Sequence, residues 1–294
     1  MEAYLAAIGI VALIYVLLSL GLTLQYGLTG LINFGHVGFF AIGAYASAIL
    51  ALQGVPLVLC FAAAAVGAGL AAWPLGLISL RLRDDYFAIV TLGFSEIVRL
   101  VITSEKWLTN GVQGLPGIPR LFGGLSGAAA QGAVLAVIGA AVMLAAAIML
   151  RIARSPFGRV LEGIRDNEEA VKALGKNPAR FKIQVLIVGS ALAGIAGAFY
   201  AHYITYIVPD QFIPLVTFYV WMAIIMGGVG RITGAVVGTA ILMLFLEGSR
   251  FIRDVLPGVS EVEMASIRIG VVGLMLILFT LFRPQGLVGD YTRR

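Results

Sequence analysis

Few side chains in this sequence have the types and spacing that acid–base, nucleophilic or metal chemistry requires. The chain has two histidines, His36 and His202, and one cysteine, Cys60, which lies within an apolar run. Its carboxylates do not cluster with either histidine, so neither a metal centre nor a catalytic acid–base pair is expected. The phosphate-binding pattern GxxxxGK[ST] is also absent. We therefore predict that the chain is not an enzyme and holds no cofactor of its own.

Four polar residues stand inside otherwise apolar runs. Glu96 and Arg99 are three residues apart, so on a helix they share one face and can pair. Asn33 and His36 have the same spacing and are expected on one helical face. For the charged pair the alternatives are mutual neutralisation and a place in a transport pathway, because a charge in lipid is costly. For Asn33 and His36 they are a hydrogen bond between helices and a polar lining for a passage.

The longest polar stretch of the chain, residues 151–182, separates runs that are almost entirely apolar. We call it the basic segment. It has four acidic residues and eight basic ones, which are Arg151, Arg154, Arg159, Arg165, Lys172, Lys176, Arg180 and Lys182. Apolar residues recur in it at roughly helical spacing, at Leu161, Ile164, Val171 and Leu174. We expect these side chains to contact a partner surface; the alternative is a solvated loop between two membrane helices.

The basic segment also contains the signals of a short helix. Asp166 or Asn167 can cap its start, and Glu168 and Glu169 fall in its first turn, where the helix dipole favours acidic residues. Gly175 suits the position just after the last helical residue, which often takes a positive φ. The sequence therefore predicts a helix of about two turns between these two ends.

The composition indicates a polytopic membrane protein. Of the 294 residues, 60% are hydrophobic and only 12% are charged, and the mean hydropathy is +1.00. A soluble domain carries about twice that charged fraction. The net charge of +5 does not indicate nucleic-acid binding, because the basic residues cluster beside apolar runs, as residues that orient membrane proteins do. We therefore expect a lipid membrane, and no nucleic acid, as a partner.

Apolar runs of about twenty residues, the length that crosses a bilayer, divide the chain. The predicted spans are Ala3–Leu24, Leu28–Leu52, Pro56–Leu80, Tyr86–Thr103, Ala128–Leu150, Ile183–Ile207 and Ser266–Phe282. A charged turn, Arg81–Asp85, and a polar loop, Glu247–Ala265, are expected between spans. The predicted fold class is all-α, a membrane helix bundle that forms a single domain over residues 1–294.

One further apolar region, Thr217–Leu246, is too long for a single crossing. Its centre carries Gly228 and Gly230, which we take as candidates for a pathway or for helix pairing. Glycine lets a helix break where the freed backbone groups find other partners. The sequence predicts a broken or re-entrant helix pair here, and about seven to nine membrane segments in all.

The distribution of lysine and arginine predicts the orientation. Cytoplasmic loops carry an excess of these residues, so we place the basic segment, the Arg81–Asp85 turn and the Arg283–Arg294 tail in the cytoplasm. The N-terminus is then outside the cell.

Several stretches along the chain resemble a known family. They are GLTGLINFGHVGFFAIGAY (27–45), SPFGRVLEGIRDNEEAVKALG (155–175), ALAGIAGAFY (191–200), Pro209–Phe212, GGVGRITGAVVG (227–238) and RPQG (283–286). Within the basic segment, the spacing from Glu169 to Gly175 resembles the EAA-x-x-x-G motif of importer permeases driven by ATP-binding-cassette (ABC) ATPases. Together these stretches are similar to the permeases of branched-chain amino acid ABC importers, in particular to the LivM-like subunit.

The resemblance implies a fold, a function and a set of partners. The fold is of the ABC-importer permease type, and the basic segment is a cytoplasmic coupling loop that docks on an ATPase. The implied coupling residues are Arg165, Asn167, Glu168, Glu169, Ala170, Val171, Leu174 and Gly175. The implied partners are a second, LivH-like permease, two ATPase subunits that bind the ATP, and a periplasmic or surface-tethered binding protein. The location is a bacterial or archaeal cell (inner) membrane, and the cargo is leucine, isoleucine or valine.

Two alternatives stay open from the sequence. Members of the same family carry urea or short amides. The resemblance therefore indicates the type of transporter more clearly than its substrate. A stand-alone secondary transporter or channel would be expected to hold buried coupling carboxylates, and Glu96 is the one residue that qualifies.

Overall fold

A computed structural model describes residues 2–79, 82, 84–255, 261–283 and 285–288. Most of this part of the chain, 82%, is helical, which confirms the all-α prediction. The helices are α1 Glu2–Leu22, α2 His36–Leu52, α3 Leu57–Ser79, α4 Asp84–Ser104, α5 Lys106–Thr109, α6 Gly127–Ala153, α7 Pro156–Asp166, α8 Glu168–Ala173, α9 Pro178–Ile204, α10 Pro214–Gly227, α11 Ile232–Val255 and α12 Glu261–Phe282. A π-helical turn, Thr23–Gly27, extends α1. Two short strands, β1 Leu115–Pro116 and β2 Tyr206–Ile207, pair antiparallel.

Six segments of the described chain are long and apolar enough to cross a membrane. They are Tyr4–Gly27, Leu57–Ile78, Asp85–Ser104, Gly127–Ala153, Pro178–Ile204 and Pro209–Gly227. Three shorter apolar helices accompany them, at His36–Leu52, Ile232–Gly248 and Ile269–Phe282. This set fits the predicted polytopic bundle.

Helix α9 is the centre of the bundle and packs against α1, α2 and α3. Small residues let these backbones approach closely. A Cβ added at Gly189 would lie 2.6 Å from the Gly21 carbonyl oxygen of α1, and one at Gly197 would overlap the Phe40 carbonyl of α2. Lipid supplies no hydrophobic drive between helices, so such close backbone packing is a main source of their association.

Helix α9, which is about 40 Å long, defines the two ends of the bundle. Its first residue, Pro178, follows α8, and its last turn leads into β2. We call the end that holds α7 and α8 the coupling end. Gly27, at the end of the π-helical turn, is at the coupling end, where Arg165 hydrogen-bonds its carbonyl. Tyr4, at the start of α1, hydrogen-bonds the Glu247 carbonyl of α11 at the opposite end.

The described part of the tail also lies at the coupling end. The Leu287 amide donates to the Met226 carbonyl at 2.8 Å, and the Val288 amide donates to the Gly227 carbonyl at 3.0 Å. The side chain of Arg231 in turn donates to the Val288 carbonyl at 3.1 Å. The tail is thus attached to the turn between α10 and α11.

The predicted second span, Leu28–Leu52, is wrong near its start. Residues 28 and 29 continue the helical backbone that precedes them, residues 30–35 are not helical, and α2 begins only at His36. Asn33 therefore does not share a helical face with His36. We call residues 30–35 the polar break, since buried polar side chains satisfy its backbone and replace the helical hydrogen bonds.

The predicted interruption of Thr217–Leu246 is present and joins two antiparallel helices, α10 and α11. The connecting residues 228–231, which we call the glycine break, include Gly228 with φ +119° and Gly230 with φ +82°. Only glycine adopts such values without strain. The region therefore forms two helices. Pro209–Gly227 is long and apolar enough to cross a membrane, and Ile232–Gly248 is one of the shorter apolar helices.

Two predicted connections differ from the structure. The polar loop Glu247–Ala265 is wrong, because α11 continues to Val255 and α12 starts at Glu261; residues 256–260 lie outside the described residues. The charged turn Arg81–Asp85 is shorter than predicted, because α4 starts at Asp84. Arg81 and Arg83 lie outside the described residues, as do residues 289–294 of the tail.

Candidate coupling site

The basic segment is mostly helical and compact. Residues 151–153 end α6, helices α7 and α8 follow, and residues 178–182 begin α9. Ser155 caps α7, since its hydroxyl oxygen accepts from the Gly158 amide at 3.2 Å. The predicted loop of residues 151–182 is therefore two short helices that lie across one end of the bundle.

Helix α8 has a cap at each end, as predicted. The Asn167 side-chain oxygen accepts from the Ala170 amide at 3.0 Å. Gly175 has φ +74°, its amide donates to the Lys172 carbonyl at 2.9 Å, and the Lys176 amide donates to the Val171 carbonyl at 3.2 Å. These two bonds form a Schellman motif, which satisfies carbonyls that the helix leaves without partners.

Ion pairs attach α8 to α9. Glu168 accepts from Lys182 at 2.7 Å and lies 3.2 Å from the Lys172 ammonium, which also pairs with Glu169 at 2.8 Å. Burial alone would raise the pKa of Glu168, but the hydrogen bonds from Lys182 and Lys172 outweigh it and lower that pKa. Glu169 projects outward, with 81% of its side chain exposed.

The apolar residues of the basic segment do not form one partner surface. Leu161, Ile164 and Val171 are buried inside the chain's own fold, so the prediction that they face a partner is wrong. These three side chains cover the end of the bundle. They shield it from water, because that end is not surrounded by lipid. Leu174 is the exception and is 79% exposed. The outward face of α8 and of the residue that follows it therefore includes Glu169, Ala170 and Leu174, beside the exposed Lys172 and Ala173.

Arg165 points into the protein. Its Nη1 donates to the Gly27 carbonyl at 2.8 Å, and its Nε donates to Asp166 at 3.1 Å. Only 26% of the side chain is exposed. Arg165 therefore connects α7 to the end of α1, in addition to any role at the surface.

Asn33 lies at the centre of the polar break and is fully buried. Its amide nitrogen donates to Gln25 at 2.8 Å, and its side-chain oxygen accepts from the Gly35 amide at 2.9 Å. Its backbone carbonyl accepts from the Trp221 indole at 3.1 Å. Of the two sequence alternatives for Asn33, these contacts correspond to hydrogen bonding between helices.

Two threonines complete the polar break. The Phe34 amide donates to Thr91 of α4 at 3.1 Å, and the Val37 amide donates to Thr217 of α10 at 3.0 Å. Gln25, Thr91, Thr217 and Trp221 were not singled out from the sequence. The one signal in the sequence was that their hydroxyl, amide and indole groups lie inside apolar runs. Their spacing does not indicate that they meet in the fold.

His36 and the charged pair lie apart from this network. The Nε2 atom of His36 is 3.1 Å from the Leu18 carbonyl oxygen of α1, and the ring is fully buried. Arg99 donates to one Glu96 oxygen through Nε at 3.0 Å and Nη2 at 2.8 Å. This confirms the predicted pairing. Asp210 adds a second carboxylate, 3.9 Å from Arg99, which the sequence did not indicate.

The family of the chain follows from its sequence as a whole. Residues 4–280 match the family described as the branched-chain amino acid transport system / permease component. The chain belongs to this family. No group of three or more His, Cys, Asp or Glu side chains suited to a metal occurs among the described residues.

The chain is similar to curated permeases named LivM, LivH and BraD. It is 33% identical to the high-affinity branched-chain amino acid transport system permease protein LivM of Escherichia coli K12, over 96% of this chain and 69% of that protein. It is 27% identical to a probable LivM of Methanocaldococcus jannaschii, over 94% of this chain and 91% of that protein. It is 26% identical to the Escherichia coli K12 LivH, with the same coverage. No solved structure matches the chain significantly.

Proposed function

We propose that the chain is a transmembrane permease subunit of an ABC importer for branched-chain amino acids. The observation that carries this proposal is α8, a helix capped at both ends whose outward face projects from one end of a membrane bundle in a permease family. The LivM relatives are named for high-affinity branched-chain amino acid transport, which supports leucine, isoleucine and valine as the cargo.

The proposed assembly has several further subunits. A second, LivH-like permease is supported by the similarity to both LivM and LivH, which are named as parts of one kind of transport system. Two ATPase subunits bind the ATP, since this chain has no P-loop sequence. A binding protein delivers the amino acid outside the cell. The chain itself holds no cofactor and is not an enzyme.

The proposed orientation puts the coupling end in the cytoplasm. The basic segment and the described tail share that end, and cytoplasmic loops are rich in lysine and arginine. The start of α1, which lies at the opposite end, is then outside a bacterial or archaeal inner membrane.

The proposed mechanism is a shift between two access states. An ATPase that binds ATP changes its affinity for the two positions of α8 and so changes their populations. The face that meets it is Glu169, Ala170 and Leu174, since Val171 is buried. Asn167 and Gly175 fix the two ends of the helix, and Glu168 attaches it to α9.

The test introduces a charge on the proposed docking face. Leu174→Glu leaves the buried core untouched, so the permease should insert normally but retain at least about tenfold less ATPase during purification, the effect of about 1.4 kcal/mol. Glu169→Ala should weaken ATPase retention less than Leu174→Glu does, because it removes one polar contact. Gly175→Val should weaken it more, because it forces a β-branched residue to positive φ. Val112→Glu is the matched control, because Val112 is 65% exposed at the opposite end.

Uptake of labelled leucine is measured in the same cells, with labelled urea as a comparison. Loss of leucine uptake in parallel with ATPase retention supports the proposal. If Leu174→Glu retains the ATPases and transports at the unmodified rate, the basic segment is a solvated connector. Leucine-independent urea uptake would identify the alternative cargo.

A further inference from the structure

Arg165 is one of the implied coupling residues, but it does not belong to the proposed docking face. Its guanidinium is at the end of α7, one residue before the turn into α8. Most of the side chain is covered, and its shorter hydrogen bond, to the Gly27 carbonyl at 2.8 Å, joins residues 138 positions apart in sequence. A charged side chain that faces inward at a coupling surface calls for a reason other than docking.

Three glycines surround this guanidinium. A Cβ added at Gly30 would lie 3.4 Å from Arg165 Cγ, and one added at Gly230 would lie 3.3 Å from Arg165 Nη1. Gly27 and Gly230 also touch each other, since a Cβ at Gly27 would lie 3.0 Å from the Gly230 Cα. We call Gly27, Gly30 and Gly230 the glycine junction. Gly27 ends α1 before the polar break, Gly30 lies in that break, and Gly230 lies in the glycine break.

Arg165 therefore lies beside both places where the membrane helices are interrupted. Gly30 and Gly230 have φ of +72° and +82°, so these points can change direction with little steric resistance. The Gly27 carbonyl is at a helix end, where the backbone lacks a helical partner. A cationic donor satisfies it more strongly than a neutral one. Its loss would leave this carbonyl without that partner.

Helices α7 and α8 are directly connected and pack against each other. A single residue, Asn167, separates them and caps α8. The buried Val171 of α8 packs against Gly163 of α7, where an added Cβ would lie 3.2 Å from Val171 Cγ2. A displacement of the outward face of α8 is therefore passed to the end of α7, which carries Arg165.

We propose that Arg165 is a positioning residue that transmits movement of α8 to the glycine junction, and so couples the ATPase to both helix breaks. This inference rests on the proposed function. It assigns Arg165 to transmission inside the permease and takes it out of the surface that binds the ATPase.

The experiment uses the complete importer in proteoliposomes and compares Arg165→Gln with Arg159→Gln. Arg159 is an exposed arginine on the same helix. Three quantities are measured: ATPase retained, ATP hydrolysed, and leucine transported for each ATP. With Arg165→Gln, retention and hydrolysis should continue while leucine transported for each ATP falls about tenfold, the scale of a lost charge-assisted hydrogen bond. Arg159→Gln should leave all three unchanged.

Arg165→Lys is the second variant. Its ammonium can reach one acceptor but lacks the planar fork that spans the junction, so an intermediate ratio is expected. It also carries the test if Arg165→Gln does not assemble. An unmodified ratio in Arg165→Gln, or in Arg165→Lys where only that variant assembles, overturns the proposal. Loss of ATPase retention in step with uptake also overturns it, because Arg165 would then be a docking residue. Failure of the unmodified permease to retain any ATPase would refute the proposed function instead.

Discussion

The polar break and the glycine break both interrupt apolar sequence, but they differ in length and chemistry. The polar break spans residues 30–35. It is held by Gln25, Asn33 and Thr91, and Thr217 bonds the start of α2 just after it. The glycine break spans residues 228–231 and lets α10 and α11 pack closely backbone to backbone. Hydrogen bonds determine which residues the polar break accepts, and the space between backbones determines which residues the glycine break accepts. Substitutions in the two breaks should therefore destabilise the protein for different reasons.

The largest effect is expected where the glycine break brings α10 and α11 together. A Cβ at Gly238 would lie 2.7 Å from the Gly227 amide nitrogen and would overlap the Ala223 carbonyl. Gly238→Val should therefore destabilise the protein by more than about 3 kcal/mol, since the backbone on the other side cannot yield. Gly248→Val is the control on the same helix, where an added Cβ meets nothing within 4 Å. The amount of monodisperse protein in detergent measures both, and equal amounts would contradict the packing argument.

A smaller loss is expected in the polar break. Asn33→Ala leaves the Gln25 side-chain oxygen and the Gly35 amide buried without their partner. Each such group costs about 1–3 kcal/mol, so a loss of about 3 kcal/mol is expected. Asn177→Ala removes an asparagine that caps α9 at the surface, and such a cap is worth about 1 kcal/mol. The thermal midpoint should fall clearly further for Asn33→Ala; similar shifts would mean that the polar break tolerates open hydrogen bonds.

The same contrast explains what the sequence could predict. The glycine break was visible because Gly228 and Gly230 stand together in a run that is too long to cross once. The polar break was not, because Leu28–Leu52 has an ordinary span length and its hydrogen-bond partners are up to 188 residues away. At the coupling end, Asn167 and Gly175 act on their own backbone, so their local roles could be predicted. The burial of Leu161, Ile164 and Val171 could not, since it depends on how α7 and α8 lie on the bundle.

Charge gives a third way to hold a polar group in an apolar segment, and its effect should be smaller still. Glu96→Gln leaves Arg99 with Asp210 at 3.9 Å, which is 83% exposed and so a weak partner. The cost should be about 2 kcal/mol on membrane-insertion scales. The double variant Glu96→Gln/Arg99→Gln removes both charges and should recover part of the assembled protein. If both variants assemble equally but uptake is lost, the pair belongs to a transport pathway.

The smallest effect is expected outside both breaks, where ion pairs hold α8 against α9. The pKa of Glu168 is lowered from its ordinary value of 4.5 by Lys182 and Lys172, against the opposing effect of burial. A carboxyl with a lowered pKa stabilises the fold above that ordinary value, and the stabilisation is lost as the pH falls through the lowered pKa. Because the Glu168 side chain is 36% exposed, the contribution is only about 0.5 kcal/mol.

A nitroxide attached at Ala173→Cys in a Cys60→Ala background reports this loosening. Its mobility should stay constant from neutral pH to just above 4.5 and rise below that value. Lys182→Gln removes the partner at 2.7 Å, so the rise should begin at higher pH; Arg180→Gln, an exposed cation two residues earlier, should leave it in place. The rise in nitroxide mobility at low pH should also become smaller in high salt, because salt screens exposed charges. Salt should not affect the neutral hydrogen bonds of the polar break. A rise that ignores both Lys182 and salt would mean that the caps of α8, and not its charges, fix its position on α9.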